Sequence, residues 1–259
     1  MAEIVGLVPA AGRATRFARL PCSKEVLPLR APEGGDGRVR VACERLLDGF
    51  RAAGARRAFI VLGERKLDIP AYLGDGSLVG LDIAYLTVES SPSTVATIAR
   101  AAPWLEGGTV AFGFPDILFD PVDALAALVR RQAETDAPVV LGLFPPLRPE
   151  RVDMVETDEV GRVRRITIKP ARTDLSLAWI LAVWTAEFTR LLVGRATAAG
   201  PGGRELYVGD VLQEAIDDGL DVRSVAFPEG AFVDVGTPED ALAAIADARY
   251  WRSPTPTPT

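Results

Sequence analysis

The sequence predicts an α/β fold, doubly wound around a mixed sheet, and three observations carry that prediction. A chain of 259 residues with 48% hydrophobic content is long enough to bury a large core, either as one domain or as one domain with a small lobe. Short apolar runs alternate with segments of helical spacing along most of its length. The early part alternates strand and helix, which implies a parallel Rossmann-like core with ligands at the carboxyl ends of its strands. The later strands are more closely spaced and imply a mixed extension that forms the lobe.

A buried first strand is expected in the short apolar run that begins at Ile4 and empties into a small-residue turn. Further strand-like runs fall near Arg57–Leu62, Leu81–Leu86, Thr109–Phe114, Pro138–Phe144, Arg162–Ile168, Ala178–Trp184 and Asp221–Phe227. Helical spacing or good helix formers occupy Val41–Ala53, Ser93–Leu105, Pro121–Glu134, Ala186–Val193, Gly209–Asp218 and Pro238–Trp251. Thr237 and Pro238 suit the N-cap and first position of the last helix. Arg30–Arg38, with its Gly-Gly-Asp-Gly, reads as an exposed loop. The expected organisation is a single domain over 1–252 and a disordered tail over 253–259, whose Ser-Pro-Thr-Pro-Thr-Pro-Thr has no core-forming residue.

Several chemistries are excluded by composition. The chain has no histidine, so Ser-His-Asp triads, imidazole bases and His-ligated zinc are ruled out. Cys22 and Cys43 are too few for a disulfide framework or a cysteine-built metal site. No run of eighteen apolar residues occurs, and no charged-then-apolar leader precedes the first strand. The expectation is a cytoplasmic protein with neither membrane nor nucleic acid as partner; assembly into a homo-oligomer stays open.

Charge points to a local anion site. The whole chain carries net charge −6, yet Arg13, Arg16, Arg19 and Lys24 cluster just after the first strand, in and beyond the small-residue turn Pro9-Ala10-Ala11-Gly12. Small residues let backbone N–H groups approach a ligand, and the cations make that ligand an anion such as phosphate. The plainer alternative is a strand-to-helix turn with solvated arginines. Only Lys24, Lys66 and Lys169 are lysines among 29 basic residues. An arginine-preferring chain keeps lysine mainly where a compact, flexible point charge is wanted.

The segment Ile4–Phe17, running on to Ser23-Lys24-Glu25-Val26-Leu27-Pro28, resembles the signature of the sugar nucleotidyltransferases. These enzymes join a nucleoside triphosphate (NTP) to a sugar 1-phosphate. Ala14 stands where the family usually has a second Gly, and its Cβ restricts the loop. The resemblance implies that Ala10, Ala11, Gly12 and Arg13 bind nucleotide. Arg16 and Lys24 would be the catalytic cations. The lobe would bind the sugar.

Two aspartates stand out by position. Asp116 follows the run Thr109–Phe114, and Asp234 lies in Asp-Val-Gly-Thr-Pro-Glu just before a helix start. In the resembled family an Asp at each place holds Mg2+, a hard cation that takes a few carboxylates plus phosphate oxygens. Read structurally, Asp116 would cap a helix and Asp234 would form a turn. Lys169 in Thr-Ile-Lys-Pro resembles the family's Glu-Lys-Pro, whose Lys contacts the sugar phosphate. Ile168 replaces the Glu that binds sugar hydroxyls and has no polar atom to do so. Trp184 falls where relatives have Gly-x-Tyr, and Glu205 lies in a segment that precedes a helix; both are expected near the sugar phosphate. Glu89 and Thr94 would face the base. A carboxylate only accepts, which suits guanine or the cytosine amino group better than uracil or thymine.

The resemblance thus implies Mg2+-dependent transfer of a nucleoside monophosphate from an NTP to a sugar 1-phosphate or a sugar-like cyclitol phosphate, with release of pyrophosphate. Two rivals stay open. A non-catalytic nucleotide-sugar-binding or regulatory homologue would account for Ala14, Ile168 and Trp184. A dinucleotide oxidoreductase fits less well, because the first loop lacks a Gly-x-Gly-x-x-Gly.

Overall fold

The computed structural model describes residues 3–12, 20–30, 38–199 and 205–251. The chain opens with β1 (Ile4–Ala10), a short pair β2 (Pro28–Arg30) and β3 (Arg40–Val41), and α1 (Glu44–Ala52). Then follow β4 (Arg57–Gly63), α2 (Asp68–Leu73), β5 (Asp82–Val88), α3 (Thr94–Ala99), β6 (Thr109–Gly113) and β7 (Ile117–Asp120). The second half runs α4 (Ala124–Thr135), β8 (Val139–Phe144), β9 (Met154–Thr157), β10 (Val163–Thr167), β11 (Ala178–Trp184) and α5 (Ala186–Ala199). It closes with α6 (Val208–Asp217), β12 (Val222–Ala226), β13 (Ala231–Asp234) and α7 (Pro238–Ala246).

The main sheet has nine strands, with the path β10-β9-β11-β6-β1-β4-β5; β8 pairs with β11, and β12 with β8. β1 lies parallel between β4 and β6, and β5 continues parallel to β4. The winding reverses on the two sides of β1, so its carboxyl end is a topological switch point and opens a crevice. β11 enters antiparallel to β6 and makes the sheet mixed.

Residue alternation explains why both faces are covered. In β1, Val8 and Ala10 join one buried cluster and Val5 and Leu7 the other. β4 divides the same way, with Ala58, Ile60 and Leu62 on one side and Phe59 and Val61 on the other. Leu46 and Phe50 of α1, Leu73 of α2 and Leu128 of α4 cover the first face. Ile98 of α3, Phe188 and Leu192 of α5 and Leu212 of α6 cover the second. Gly6 is needed in β1 because a Cβ there would lie 2.5 Å from the Phe50 ring.

A third, smaller cluster joins Leu29, Leu118, Val235, Ala244 and Trp251. It sits beneath a separate two-stranded ladder in which β13 runs antiparallel to β7. The sequence reading does not contain this ladder, because each strand has only four residues. The expected helix Ser93–Leu105 is divided: α3 ends at Ala99, and a 3-10 turn at Ala102–Trp104 holds Pro103, which lacks the N–H a continuing helix needs. The expected tail 253–259 lies outside the described residues. No described helix is long and apolar enough to cross a membrane.

Candidate active site

A cleft of about 1370 Å³ opens at the carboxyl ends of β1, β4 and β6. Its first wall is the chain leaving β1: Pro9, Ala11 and Gly12 line it. The Ala10 side chain points into the core at 1% exposure and leaves its backbone for a ligand. Its inward position follows from the strand alternation that puts Val8 and Ala10 in the same cluster. Arg13 and Arg16 lie outside the described residues.

The floor carries two ion pairs. Lys24, at the start of a 3-10 turn, contacts the Asp116 carboxylate. Burial works against the Lys24 charge, but Asp116, with smaller help from Glu25 and Asp234, outweighs it and raises the ammonium pKa. Beside it, Lys66 Nζ sits 2.5 Å from Glu25 Oε1, a carboxylate only 2% exposed. Burial drives the Glu25 carboxyl above its ordinary value even though Lys66 draws it down. Ser23 ties the same turn to α2, its N–H and Oγ donating to the two Asp68 oxygens at 2.5 and 2.7 Å.

Asp116 and Asp234 come together through the β7–β13 ladder. Asp234 pairs with Ile117, and Val235 N–H donates to the Asp116 carbonyl at 2.8 Å. Both residues line the cleft, and both act on the Lys24 charge. Buried Arg45 of α1 steadies this ladder: Nε donates to the Phe119 carbonyl at 2.6 Å and the guanidinium pairs with Asp120 at 3.3 Å. Thr237 caps α7 just beyond, accepting from Asp240 N–H at 3.3 Å. Among the described residues no cluster of three or more Cys, Asp or Glu could chelate a metal by itself. Two carboxylates fit a hard cation that completes its shell with phosphate oxygens and water.

One rim follows β5 into α3. Exposed Glu89 and half-buried Thr94 line the cleft there. Ser93 caps α3 by accepting from Ala96 N–H at 3.1 Å, and Thr97 Oγ1 donates to Ser91 Oγ at 2.7 Å, so the turn is held from within. The opposite rim carries Lys169, Glu205, Tyr207, Asp153, Trp179 and Ile180. Lys169 adopts φ 40° and sets Nζ 3.9 Å from the Tyr207 ring centroid, while Tyr207 OH donates to Glu205 at 3.1 Å.

Trp184 is a further correction. It is fully buried, packs on Phe112 at 4.9 Å and donates Nε1–H to Thr189 Oγ1 at 3.0 Å. β11 runs antiparallel to β6, so its first residues face the cleft and its last lie at the far edge, level with Val110. Trp179 and Ile180 of the same strand take the place expected for Trp184.

Every lysine of the chain lines the cleft, although Lys24, Lys66 and Lys169 come from distant segments. Lys66 is absent from the sequence-based site, and the lysine count is the signal that finds it. Glu25, Asp153, Trp179 and Tyr207 are likewise missed, since each lies on a connection or strand end whose direction depends on the fold.

The nucleotidyl transferase family model matches residues 5–249. The chain is 27% identical over 199 residues to glucose-1-phosphate thymidylyltransferase of Streptomyces antibioticus, covering 76% of this chain and 54% of that protein. It is 29% identical over 216 residues to mannose-1-phosphate guanylyltransferase of Mycobacterium tuberculosis, covering 82% and 56%. The chain thus spans about half the length of the curated relatives it matches. Among solved structures, a candidate glucose-1-phosphate thymidylyltransferase from Bacillus anthracis, in complex with sucrose, superposes with a TM-score of 0.81 at 17% identity, covering 95% of this chain and 96% of that one. A UDP-glucose pyrophosphorylase complexed with UDP-glucose gives 0.77 at 19%, covering 95% and 97%. These two likenesses concern the fold. With its switch-point cleft and the match over residues 5–249, the chain belongs to the nucleotidyl transferase family.

Proposed function

We propose that this chain transfers a nucleoside monophosphate from an NTP to a sugar 1-phosphate or a cyclitol phosphate and releases pyrophosphate. The observation that supports this most is the convergence of all three lysines and the Asp116–Asp234 pair on one cleft. A phosphate oxygen of the acceptor attacks the α-phosphorus in line. One P–O bond forms, the α–β anhydride bond breaks, and pyrophosphate leaves with its electron pair. The acceptor phosphate is largely ionised near neutral pH, its second pKa being about 6, so a chain without histidine needs no base to activate it.

The chain's own residues then position and neutralise. Lys24 holds the Asp116 carboxylate and adds charge next to the triphosphate, as Arg16 would from earlier in the chain. Lys66, steadied by Glu25, adds a second cation on the floor. Lys169, braced on Tyr207, holds the acceptor phosphate, and Glu205 orients Tyr207. Asp116 and Asp234 would hold Mg2+, which when bound supplies positive charge shared between the two phosphate groups. Ala11 and Gly12 face the nucleotide just after β1, Ala10 contributes backbone only, and Arg13, next in sequence, would add charge to the nucleotide site.

Glu89 and Thr94 lie where the base would rest, and a carboxylate there favours GTP or CTP over UTP or TTP. The test is pyrophosphate release with each of the four NTPs against glucose 1-phosphate, mannose 1-phosphate and myo-inositol 1-phosphate in the presence of Mg2+. Turnover with at least one pair is expected. No release with any pair, together with NTP binding, would leave a non-catalytic nucleotide-binding homologue.

A further inference from the structure

Lys169 stands in a backbone conformation that lysine seldom takes. Among the described residues only Asp136 and Lys169 are non-glycine residues with positive φ, at 51° and 40°. Asp136 closes α4, where a short polar side chain tolerates the left-handed region. Lys169 has no such side chain, and Pro170 follows it, a neighbour that ordinarily pushes the preceding residue toward extended backbone. A conformation of this kind persists only where its surroundings over-determine it.

Those surroundings meet at the start of α6. Tyr207, the N-cap residue, lies beneath the Lys169 ammonium, with 3.9 Å between its ring centroid and Nζ. Tyr207 N–H donates to Asp210 Oδ2 at 2.9 Å and so is tied into the first turn. Two residues on, Gly209 lets the Asp153 carboxylate and Ile168 pack against that turn; a Cβ there would collide with both. Thr167 pairs with Met154 at the end of the β9–β10 ladder, which leaves Ile168 and Lys169 beside Asp153. The Asp153 carbonyl accepts from Trp179 N–H of β11 at 3.3 Å, so its backbone is held from the other side. Asp153 Oδ1 and Trp179 Nε1 are both closed to solvent, and this carboxylate therefore acts on the protein around it rather than on a ligand. Burial keeps the Asp153 pKa above its ordinary value, against the Lys169 ammonium and hydrogen bonds from the Trp179 indole and the Lys169 backbone N–H.

We propose that Asp153 is a positioning residue: by receiving the Lys169 backbone N–H it pins the left-handed turn and aims the Lys169 ammonium across Tyr207 into the cleft. Trp179 holds the carboxylate in place, and Gly209 makes room for it. The consequence for binding rests on the reading of Lys169 as the acceptor-phosphate anchor, whereas the placement of the side chain does not. The anchor lysine thus takes its direction from a carboxylate that precedes the neighbouring strand.

Nuclear magnetic resonance tests the placement without ligand or turnover. Lys24, Lys66 and Lys169 are the only lysines, so the full chain isotopically labelled at lysine Cε gives three signals, and Lys169→Arg removes the one to follow. The Tyr207 ring should move that signal upfield in wild type, and Tyr207→Leu should abolish the shift. Asp153→Ala should return it to the position of a free lysine and leave the Lys24 and Lys66 signals in place. Asp153→Asn still offers an oxygen to the N–H and should keep the upfield shift. An unmoved Lys169 signal in Asp153→Ala would overturn the inference. So would movement of all three signals together, which would make Asp153 a general strut, or loss of the shift in Asp153→Asn, which would assign it to charge. Calorimetric titration with inorganic phosphate and glucose 1-phosphate reads the consequence. Asp153→Ala should weaken both by roughly tenfold or more, as for a displaced binding group. In a Lys169→Ala background it should add at most about twofold, because it acts through that side chain. An equal loss in that background, or full affinity in Asp153→Ala where Lys169→Ala has lost it, would also overturn the inference. Unchanged phosphate binding in Lys169→Ala would reject the anchor reading alone and leave the placement of Lys169 standing on its signal.

Discussion

Lys24 and Asp116 show how two ordinary side chains acquire a role from placement. Each alone is a surface residue in sequence terms; in the fold they form a largely buried pair at a strand end, with Asp234 beside them. Asp116→Asn or Asp234→Asn preserves shape and removes one of the two anionic ligands that the proposed function assigns to Mg2+. Both variants should retain wild-type circular dichroism and lose nearly all turnover at saturating Mg2+; near wild-type rates would remove the metal assignment. Lys24→Ala should lower kcat/KM by roughly a hundredfold or more, as for loss of one preorganised charge. At the rim, Glu89→Gln should shift the ratio of GTP or CTP use to UTP or TTP use by about tenfold toward the latter, since the amide both donates and accepts. An unchanged ratio would place the base elsewhere. These residues were legible because each lies in a contiguous motif. Asp153 and Trp179 were not, because their meaning depends on which end of an antiparallel strand meets the cleft.

The elements around the site are held by networks whose energetics depend on pH. Glu44 at the start of α1 is fully buried as a side chain. It accepts from Arg38 at 2.8 and 2.9 Å, from Arg40 at 2.7 Å and from Tyr72 at 2.8 Å, so it ties β3 and α2 to α1. Burial alone would raise its pKa, but the hydrogen bonds from Arg38 and Tyr72 and the charge of Arg40 overcome this and hold it below the ordinary 4.5. A depressed carboxylate contributes stability that is present above its unfolded value and lost as pH falls through the folded one. Urea midpoints should therefore fall on acidification below about pH 4.5 in wild type. Glu44→Gln should be less stable at pH 7, on the order of 3 kcal/mol, and show a shallower acid decline. A parallel pH profile in the variant would show that other carboxylates govern acid unfolding. Local sequence reveals α1 through its spacing of Leu46, Leu47 and Phe50. It does not reveal this network, which joins residues from three elements. The β7–β13 ladder was hidden for a related reason: a four-residue strand with a distant partner has no period of its own to detect.

At the scale of the whole molecule, alternation of apolar runs and helices was sufficient to indicate a doubly wound sheet, and the boundaries of β11 were read to the residue. Trp184 was placed at the site because it falls where the resembled family has Gly-x-Tyr; strand direction, which sets which end of β11 meets the cleft, was not readable. The lysine count was the one global signal that anticipated geometry: three lysines, separated by 42 and 103 residues (66 − 24 and 169 − 66), meet in one cleft. On the proposed function, an acidic chain that gathers its lysines there would hold a triphosphate against its own net charge. The most direct measurement of this account is exchange of radiolabelled pyrophosphate into NTP, catalysed by wild type with Mg2+ and the acceptor panel, beside the Asp116→Asn variant. The account predicts exchange that requires NTP, Mg2+ and a ring phosphate together and that disappears in the variant. Exchange equally fast in the variant, or none in a wild-type protein shown to bind both NTP and ring phosphate, would contradict it.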